Sequence, residues 1–179
     1  TAQSPNNPFN QASSMLAIIG GSGLTRLSTL AVAHREVVRT PYGDPSSALL
    51  FGQIGGRDAV FLARHGHGHT IAPHRVNYRA NLWALREKGA RAVVAVASVG
   101  GIRGCQPGDL VLPHQLVDYT SGRDTTFFDG GDRNVVHIDF THPYTPELRE
   151  RCLAAAHLAG VPVTAGGVYG AVNGPRLET

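Results

Sequence analysis

The apolar residues in the first half of the chain recur mostly at strand spacing, interrupted once by helical spacing. Short apolar runs bounded by glycine, proline or a turn predict strands at 16–19, 31–39, 48–54, 58–63 and 91–98. Apolar residues fall at helical spacings over 77–88, and Gly89 follows as a stop signal. The run at 91–98 is nearly all small and apolar, which is typical of a parallel strand covered on both faces. This order of elements predicts an α/β fold.

The second half of the chain continues the same mixture. Residues 109–117 and 161–172 have strand character. Thr145 followed by Pro146 predicts the start of a helix, and Gly160 predicts its end. The intervening 121–139 is polar and glycine-rich but carries aromatic residues, a composition usual in functional or interface loops.

Length and composition indicate one domain. A chain of 179 residues with 42% hydrophobic residues can bury a core of its own. We expect that domain to span 15–179, with a mixed sheet. The polar, proline-containing residues 1–14 are expected to be a disordered leader or a tag remnant.

Charge and cysteine content limit the classes of binding partner and the cellular compartment that we expect. The formal net charge of +3 comes without any run of Lys and Arg, so a nucleic-acid partner is not expected. No apolar run approaches the roughly 20 residues of a membrane span, and the N-terminus lacks the pattern of a signal peptide. The two cysteines fit no disulfide framework. We therefore expect a cytoplasmic protein without a membrane partner.

Groups suited to anion binding follow three of the predicted strands. Ser22 lies in the glycine turn at 20–23, Arg64 and His65 follow the strand at 58–63, and Ser98 ends the last strand of the first half. Ligands of open α/β sheets bind at the carboxyl ends of strands, so these groups are expected to converge. Arg64 offers a planar fork of donors that suits phosphate. The turn is neither a P-loop nor a dinucleotide fingerprint.

Alternating histidines give a competing hypothesis. His65, His67 and His69 alternate with glycines, so an extended backbone would point all three to one face, as in a metal-dependent hydrolase. No carboxylate follows at ligand spacing, which favours histidines that pack or hydrogen-bond near a pocket. We expect no metal.

Four long segments then resemble a known family. IIGGSGL at 18–24, TPYGDPS at 40–46, ARHGHGH at 63–69 and VNYRANLWAL at 76–85 are similar to the methylthioadenosine and methylthioinosine phosphorylases. The resemblance implies the three-layer, mixed-sheet α/β fold of purine nucleoside phosphorylases, here with the C-terminal part missing. It also implies a homotrimeric pentosyltransferase that needs no cofactor and uses inorganic phosphate as a co-substrate.

The resemblance also implies roles for particular residues. The family's phosphate contacts fall on Ser22, Arg64, His65, Ala97 and Ser98. Ala97 replaces a Thr or Asn that is often found there, which removes a side-chain hydrogen bond. In the loop at 121–139, His137 matches a histidine that reaches the neighbouring subunit's site. No residue is assigned as a catalytic acid or base, because Arg64 and His65 would act by positioning phosphate.

The segment GPRLET at 174–179 matches the family's base-binding segment. Glu178 can accept a hydrogen bond from the N1–H of hypoxanthine, whereas N1 of adenine carries no hydrogen. Leu177 would add an apolar wall beside the base. We expect phosphorolysis of S-methyl-5'-thioinosine, with methylthioadenosine or general 6-oxopurine nucleosides as alternatives. A module that binds anions without turnover also stays open, because of Ala97 and the missing end.

Overall fold

The computed structural model describes residues 15–24, 26–130 and 134–175. Its contacts divide into two compact units, with the boundary after Ser98. We call the described residues up to Ser98 the first unit and the later ones the second unit. The first unit contains strands β1 (Met15–Gly20), β2 (Ala31–Glu36), β3 (Leu49–Ile54), β4 (Arg57–Ala63) and β5 (Ala90–Ala95), the 3₁₀ turn Pro73–Arg75 and helix α1 (Tyr78–Glu87).

The strands of the first unit form one mixed sheet in the order β2-β3-β4-β1-β5. Strand β1 runs parallel to both of its neighbours, β4 and β5. Strand β3 runs antiparallel to β2 and β4. The mixed α/β sheet expected from the sequence is therefore confirmed. Because β4, β1 and β5 are parallel neighbours, their carboxyl ends lie side by side, where such sheets bind ligands.

Both faces of the central strands are apolar. Alternate side chains of a strand point to opposite faces, and Ala17 and Ile19 of β1 share one buried cluster with Leu85 of α1. On the other face, Phe61 of β4 packs in a second cluster with Leu30. Coverage on both faces explains why β1 and β4 read as continuous apolar runs rather than alternating ones.

Helix α1 confirms the helix predicted at 77–88. Asn77 is its N-cap, and the Asn77 side chain accepts the Ala80 N–H at 3.0 Å. Lys88 is the C-cap, and Gly89 follows with a φ of 91°. Such a left-handed conformation strains residues that carry a Cβ, so glycine is the residue that ends this helix most easily.

Strand β5 departs from the prediction in two ways. It ends at Ala95 rather than Ser98, because β1 turns away at Gly20 and the last bond of the pair joins Val96 N–H to the Ile19 carbonyl at 2.9 Å. The expected coverage on both faces is also wrong. Among the described residues its side chains at 92–94 are only half-buried, and Ala95 is exposed.

The second unit contains short elements. They are β6 (Val111–Leu112), β7 (Gln115–Asp118), α2 (Pro146–Leu158), β8 (Thr164–Ala165) and β9 (Val168–Ala171). β6 pairs with β8 and β7 pairs with β9, both in parallel. Each predicted strand of this half is therefore two strands. Between β6 and β7, Pro113 has no N–H to donate to a ladder. Between β8 and β9, Gly166 and Gly167 have φ of 110° and 100°, which interrupts the extended backbone.

Helix α2 begins and ends where the sequence predicts. Thr145 is its N-cap and Gly160 follows its C-cap, but the Thr145 side chain makes no capping hydrogen bond to any described residue. The Arg149 Nε instead donates to the Pro113 carbonyl at 2.8 Å, which ties α2 to the end of β6. Neither helix of the described ranges is long and apolar enough to cross a membrane.

Candidate anion-binding site

The turn that follows β1 is held from both neighbouring strands. The Arg64 N–H, just after β4, donates to the Gly20 carbonyl at 2.9 Å. On the other side, the Ser98 hydroxyl donates to the Ser22 carbonyl at 3.1 Å. Ser22 itself is exposed, so its hydroxyl is open to a ligand. Three parallel strand ends thus meet at this turn, as the sequence predicts.

Gly21 lets the Arg64 side chain lie directly on the turn. A Cβ at Gly21 would overlap the Arg64 Nη2 and would lie 2.7 Å from the Val96 carbonyl oxygen. No side chain fits between the turn, the guanidinium and the end of β5. The glycine at this position therefore sets where the charge of Arg64 is placed.

The ring of His65 has a fixed orientation. The side chain is buried, and its Nδ1 lies 2.9 Å from the Ile71 carbonyl oxygen, while the Ile71 N–H donates to the His65 carbonyl at 2.9 Å. A carbonyl only accepts, so we assign the hydrogen to Nδ1. Nε2 is then an acceptor in the neutral ring and donates only when the ring is protonated.

Ala97 and Ser98 follow β5 and are exposed. The hydroxyl hydrogen of Ser98 is used by the Ser22 carbonyl, so in this geometry the Ser98 oxygen can only accept a further bond. Ala97 has no side-chain donor. The structure therefore brings Ser22, Arg64 and Ser98 together through the turn, with Ser98 supporting the turn rather than facing an anion as a donor.

The arrangement required by the competing metal-hydrolase hypothesis does not form. The His65 and His69 rings lie 4.7 Å apart at their centroids, but His67 is exposed. His69 has a φ of 59°, which takes this segment out of the extended conformation that would align the three rings. Among the described residues no group of three His, Cys, Asp or Glu side chains could hold a metal ion. The metal-dependent hydrolase hypothesis is therefore not supported.

Three predicted residues belong to the second unit or fall outside the described ranges. His137 belongs to the second unit, in a segment without helix or strand, and is exposed. Leu177 and Glu178, the expected base contacts, lie outside the described residues. Their assigned roles stay predictions.

Sequence reasoning missed the residues that support the site. The Ile71 carbonyl orients His65. Asn81 accepts the Ser46 N–H, and the next residue, Ser47, accepts the N–H of Ala63, the neighbour of Arg64. Asn81 could have been noticed, because an amide within the apolar stripe of a helix needs a buried partner. The Ile71 carbonyl carried no sequence signal, since every residue type has one.

The family model for the phosphorylase superfamily matches residues 15–179. The chain therefore belongs to the phosphorylase superfamily, and the family resemblance seen in the sequence is confirmed. Within that superfamily it is 51% identical over 164 residues to a probable S-methyl-5'-thioinosine phosphorylase of Pseudomonas syringae pv. tomato, which covers 91% of this chain and 67% of the relative.

A second relative has a different name. A probable 6-oxopurine nucleoside phosphorylase of Moorella thermoacetica is 46% identical over 92% of this chain and 63% of its own. The methylthioadenosine phosphorylase of Schistosoma mansoni in apo form has a TM-score of 0.87 at 32% identity, over 92% of this chain and 65% of that chain. The expected purine nucleoside phosphorylase-like fold is thus confirmed. The chain spans about two thirds of the length of these relatives.

Proposed function

We propose that the protein is a nucleoside phosphorylase, a pentosyltransferase that seats inorganic phosphate at the turn after β1. The observation that carries the proposal is the Arg64 guanidinium, which lies on the Gly21 backbone where three parallel strands end. Arg64 would bind phosphate oxygens with its planar fork, and the Ser22 hydroxyl would donate a further bond. Main-chain N–H groups around Ala97 and Ser98 would complete the cradle.

His65 fits the same role. Its Nδ1–H is held by the Ile71 carbonyl, so Nε2 is left for the ligand. A neutral ring would accept the hydrogen of a phosphate P–OH group, and a protonated ring would donate to a phosphate oxygen. In either form the ring is already oriented.

The chemistry that suits such a cradle is displacement at the anomeric carbon of a nucleoside. The sugar gains positive charge as the bond to the base breaks, and the negative phosphate beneath it stabilises that charge. Catalysis would come mainly from placing phosphate at that carbon, so no acid or base is assigned to Arg64 or His65. The reaction would need no cofactor.

For the substrate we propose S-methyl-5'-thioinosine, which would give hypoxanthine and 5-methylthioribose 1-phosphate. The 51% identical relative bears the name of that activity. Glu178 would accept from N1–H of a 6-oxopurine, and a mismatched buried polar pair costs on the order of 1–3 kcal/mol, which favours the 6-oxo base about tenfold or more. Methylthioadenosine and other 6-oxopurine nucleosides are the alternatives. We also propose a cytoplasmic homotrimer in which His137 reaches the neighbouring subunit's site.

Product analysis tests this proposal. The protein is incubated with methylthioinosine, methylthioadenosine, inosine or guanosine, with and without phosphate, and the free bases are separated by chromatography. We expect hypoxanthine from methylthioinosine only when phosphate is present. Product formation without phosphate, or activity abolished by a chelator, would contradict the proposal. Binding of phosphate and nucleoside without any product would instead support the non-catalytic module.

Variants at Glu178 test the substrate. Glu178→Gln and Glu178→Ser remove the carboxylate that would reject the unprotonated N1 of adenine, so both should shift the preference toward 6-aminopurines. The ratio of kcat/KM for methylthioinosine to that for methylthioadenosine measures the shift. An unchanged ratio would place base specificity elsewhere in the chain.

A further inference from the structure

Asn81 is a buried polar residue with both ends of its amide engaged. It lies in α1 and is 2% exposed. Its Oδ1 accepts the Ser46 N–H at 2.7 Å, and its Nδ2 donates to the Ser46 hydroxyl at 2.9 Å. Since a buried amide is costly unless its bonds are made, this pair fixes the segment before β3 to the helix.

Ser47, the next residue, links that segment to the end of β4. Its Oγ accepts the Ala63 N–H at 3.2 Å and donates to the Ala48 carbonyl at 3.1 Å. The backbone pairing of β3 with β4 reaches only to Leu50 and Phe61. The Ser47 side chain therefore takes the place of a ladder bond beyond the last strand pair.

The backbone around Ala63 and Arg64 is consequently held from two sides. The Ala63 N–H is bound by Ser47 on the β3 side, and the Arg64 N–H is bound by the Gly20 carbonyl on the β1 side. Arg64 leaves the sheet directly after this point, so the direction of its side chain depends on these two hydrogen bonds.

We propose that Ser47 and Asn81 are positioning residues of the phosphate site. They act through the backbone of Ala63 and direct the Arg64 guanidinium onto the Gly21 turn. The inference rests on the proposed function, because it assumes that the anion held there is phosphate. A misplacement of about 1 Å can lower the rate of an enzyme about 100-fold, so loss of the Ser47 bond should be measurable.

The test compares Ser47→Ala with Ser47→Thr in the full protein. Ser47→Ala removes the acceptor and should raise the KM for phosphate about tenfold, while the KM for the nucleoside stays within about twofold. Ser47→Thr keeps a hydroxyl and should restore the phosphate KM. Ser28→Ala is the matched control, since Ser28 is exposed and no hydrogen bond among the described residues links it to Arg64. Asn81→Asp, which loses the donor to Ser46, should act in the same direction as Ser47→Ala.

Thermal unfolding of each variant separates positioning from stability. An unchanged phosphate KM in Ser47→Ala, or equal changes in both KM values, would overturn the inference while leaving the proposed function intact. If the wild-type protein releases no base, the proposed function fails, and calorimetric titration with inorganic phosphate decides the inference alone. A tenfold weaker Kd in Ser47→Ala would then support it. An equal Kd, or no phosphate binding by the wild type, would overturn it.

Discussion

A methyl group at Gly21 would lie where the Arg64 guanidinium passes. Gly21→Ala places a Cβ that overlaps Nη2 of Arg64 and lies 2.7 Å from the Val96 carbonyl oxygen. The second distance is about 0.7 Å short of ordinary van der Waals contact, and a backbone atom cannot rotate away as a side chain can. The variant therefore forces the guanidinium off the turn and strains the end of β5.

The magnitude follows from the bonds that Arg64 would lose. A hydrogen bond to a charged group contributes about 1.5–3 kcal/mol, so losing one at phosphate corresponds to about a ten- to hundredfold weaker affinity. Overpacking of this kind also costs about 1–3 kcal/mol of stability. At about 2–4 °C for each kcal/mol in a chain of this size, the Tm should fall by several degrees.

Phosphate titration calorimetry and thermal unfolding measure the two effects separately. Gly170→Ala is the control, because Gly170 lies in β9, its φ is not in the left-handed region and no atom of the described residues lies within 4 Å of an added Cβ. It should bind phosphate as the wild type does. If Gly21→Ala also retains wild-type phosphate affinity, then Arg64 on this turn is not the ligand of the anion.

Other residues give further predictions. Arg64→Lys keeps the charge but loses the planar fork, so steady-state kinetics should show a phosphate KM at least about tenfold higher and an unchanged nucleoside KM. Leu85→Ala empties a fully buried position and should lower the free energy of unfolding in urea by about 2–5 kcal/mol, whereas Leu158→Ala, at an exposed position, should change it by less than about 0.5 kcal/mol. The Thr120 hydroxyl and N–H lower the pKa of the Asp118 carboxyl below its ordinary 3.8, so its stabilisation is present above that pH and is lost as the pH falls through the lowered folded value. Asp118→Asn should therefore flatten the pH dependence of urea unfolding below about pH 4; an unchanged slope would contradict this.

The part of the candidate site around Ser22 and Arg64 could be predicted because it depends on the order of strands. The apolar runs at 16–19 and 58–63 predicted strands of an α/β sheet, and ligands of such sheets bind at the carboxyl ends of the strands. The structure pairs these two strands in parallel, which brings Ser22 and Arg64 to one place. The role of Gly21 could not be predicted from the order of strands. Its lack of a side chain matters because of Arg64, which is distant in sequence, and a glycine pair alone indicates only a turn.

Errors in the predicted strand bounds have local causes. The strand predicted at 109–117 divides at Pro113. Proline has no N–H to donate to a ladder, so a proline within the run argues against one continuous strand. The strand predicted at 91–98 ends early because its partner β1 turns at Gly20. A strand ends where its neighbouring strand turns out of the sheet, and the apolar composition of the strand itself does not predict that point.

Contacts within the protein hold Arg64 in place. Its N–H is bound to Gly20, the preceding N–H is bound to Ser47, and its guanidinium lies on Gly21. A free arginine side chain loses up to about 2 kcal/mol of rotamer freedom when it is immobilised, and here much of that loss is incurred on folding rather than on binding. Under the proposed function such order matters most, because phosphate would meet a fixed fork of donors at the place from which it would attack. On this argument the hydrogen bonds of Asn81 and Ser47 would support the proposed site by positioning Arg64, without contacting phosphate themselves.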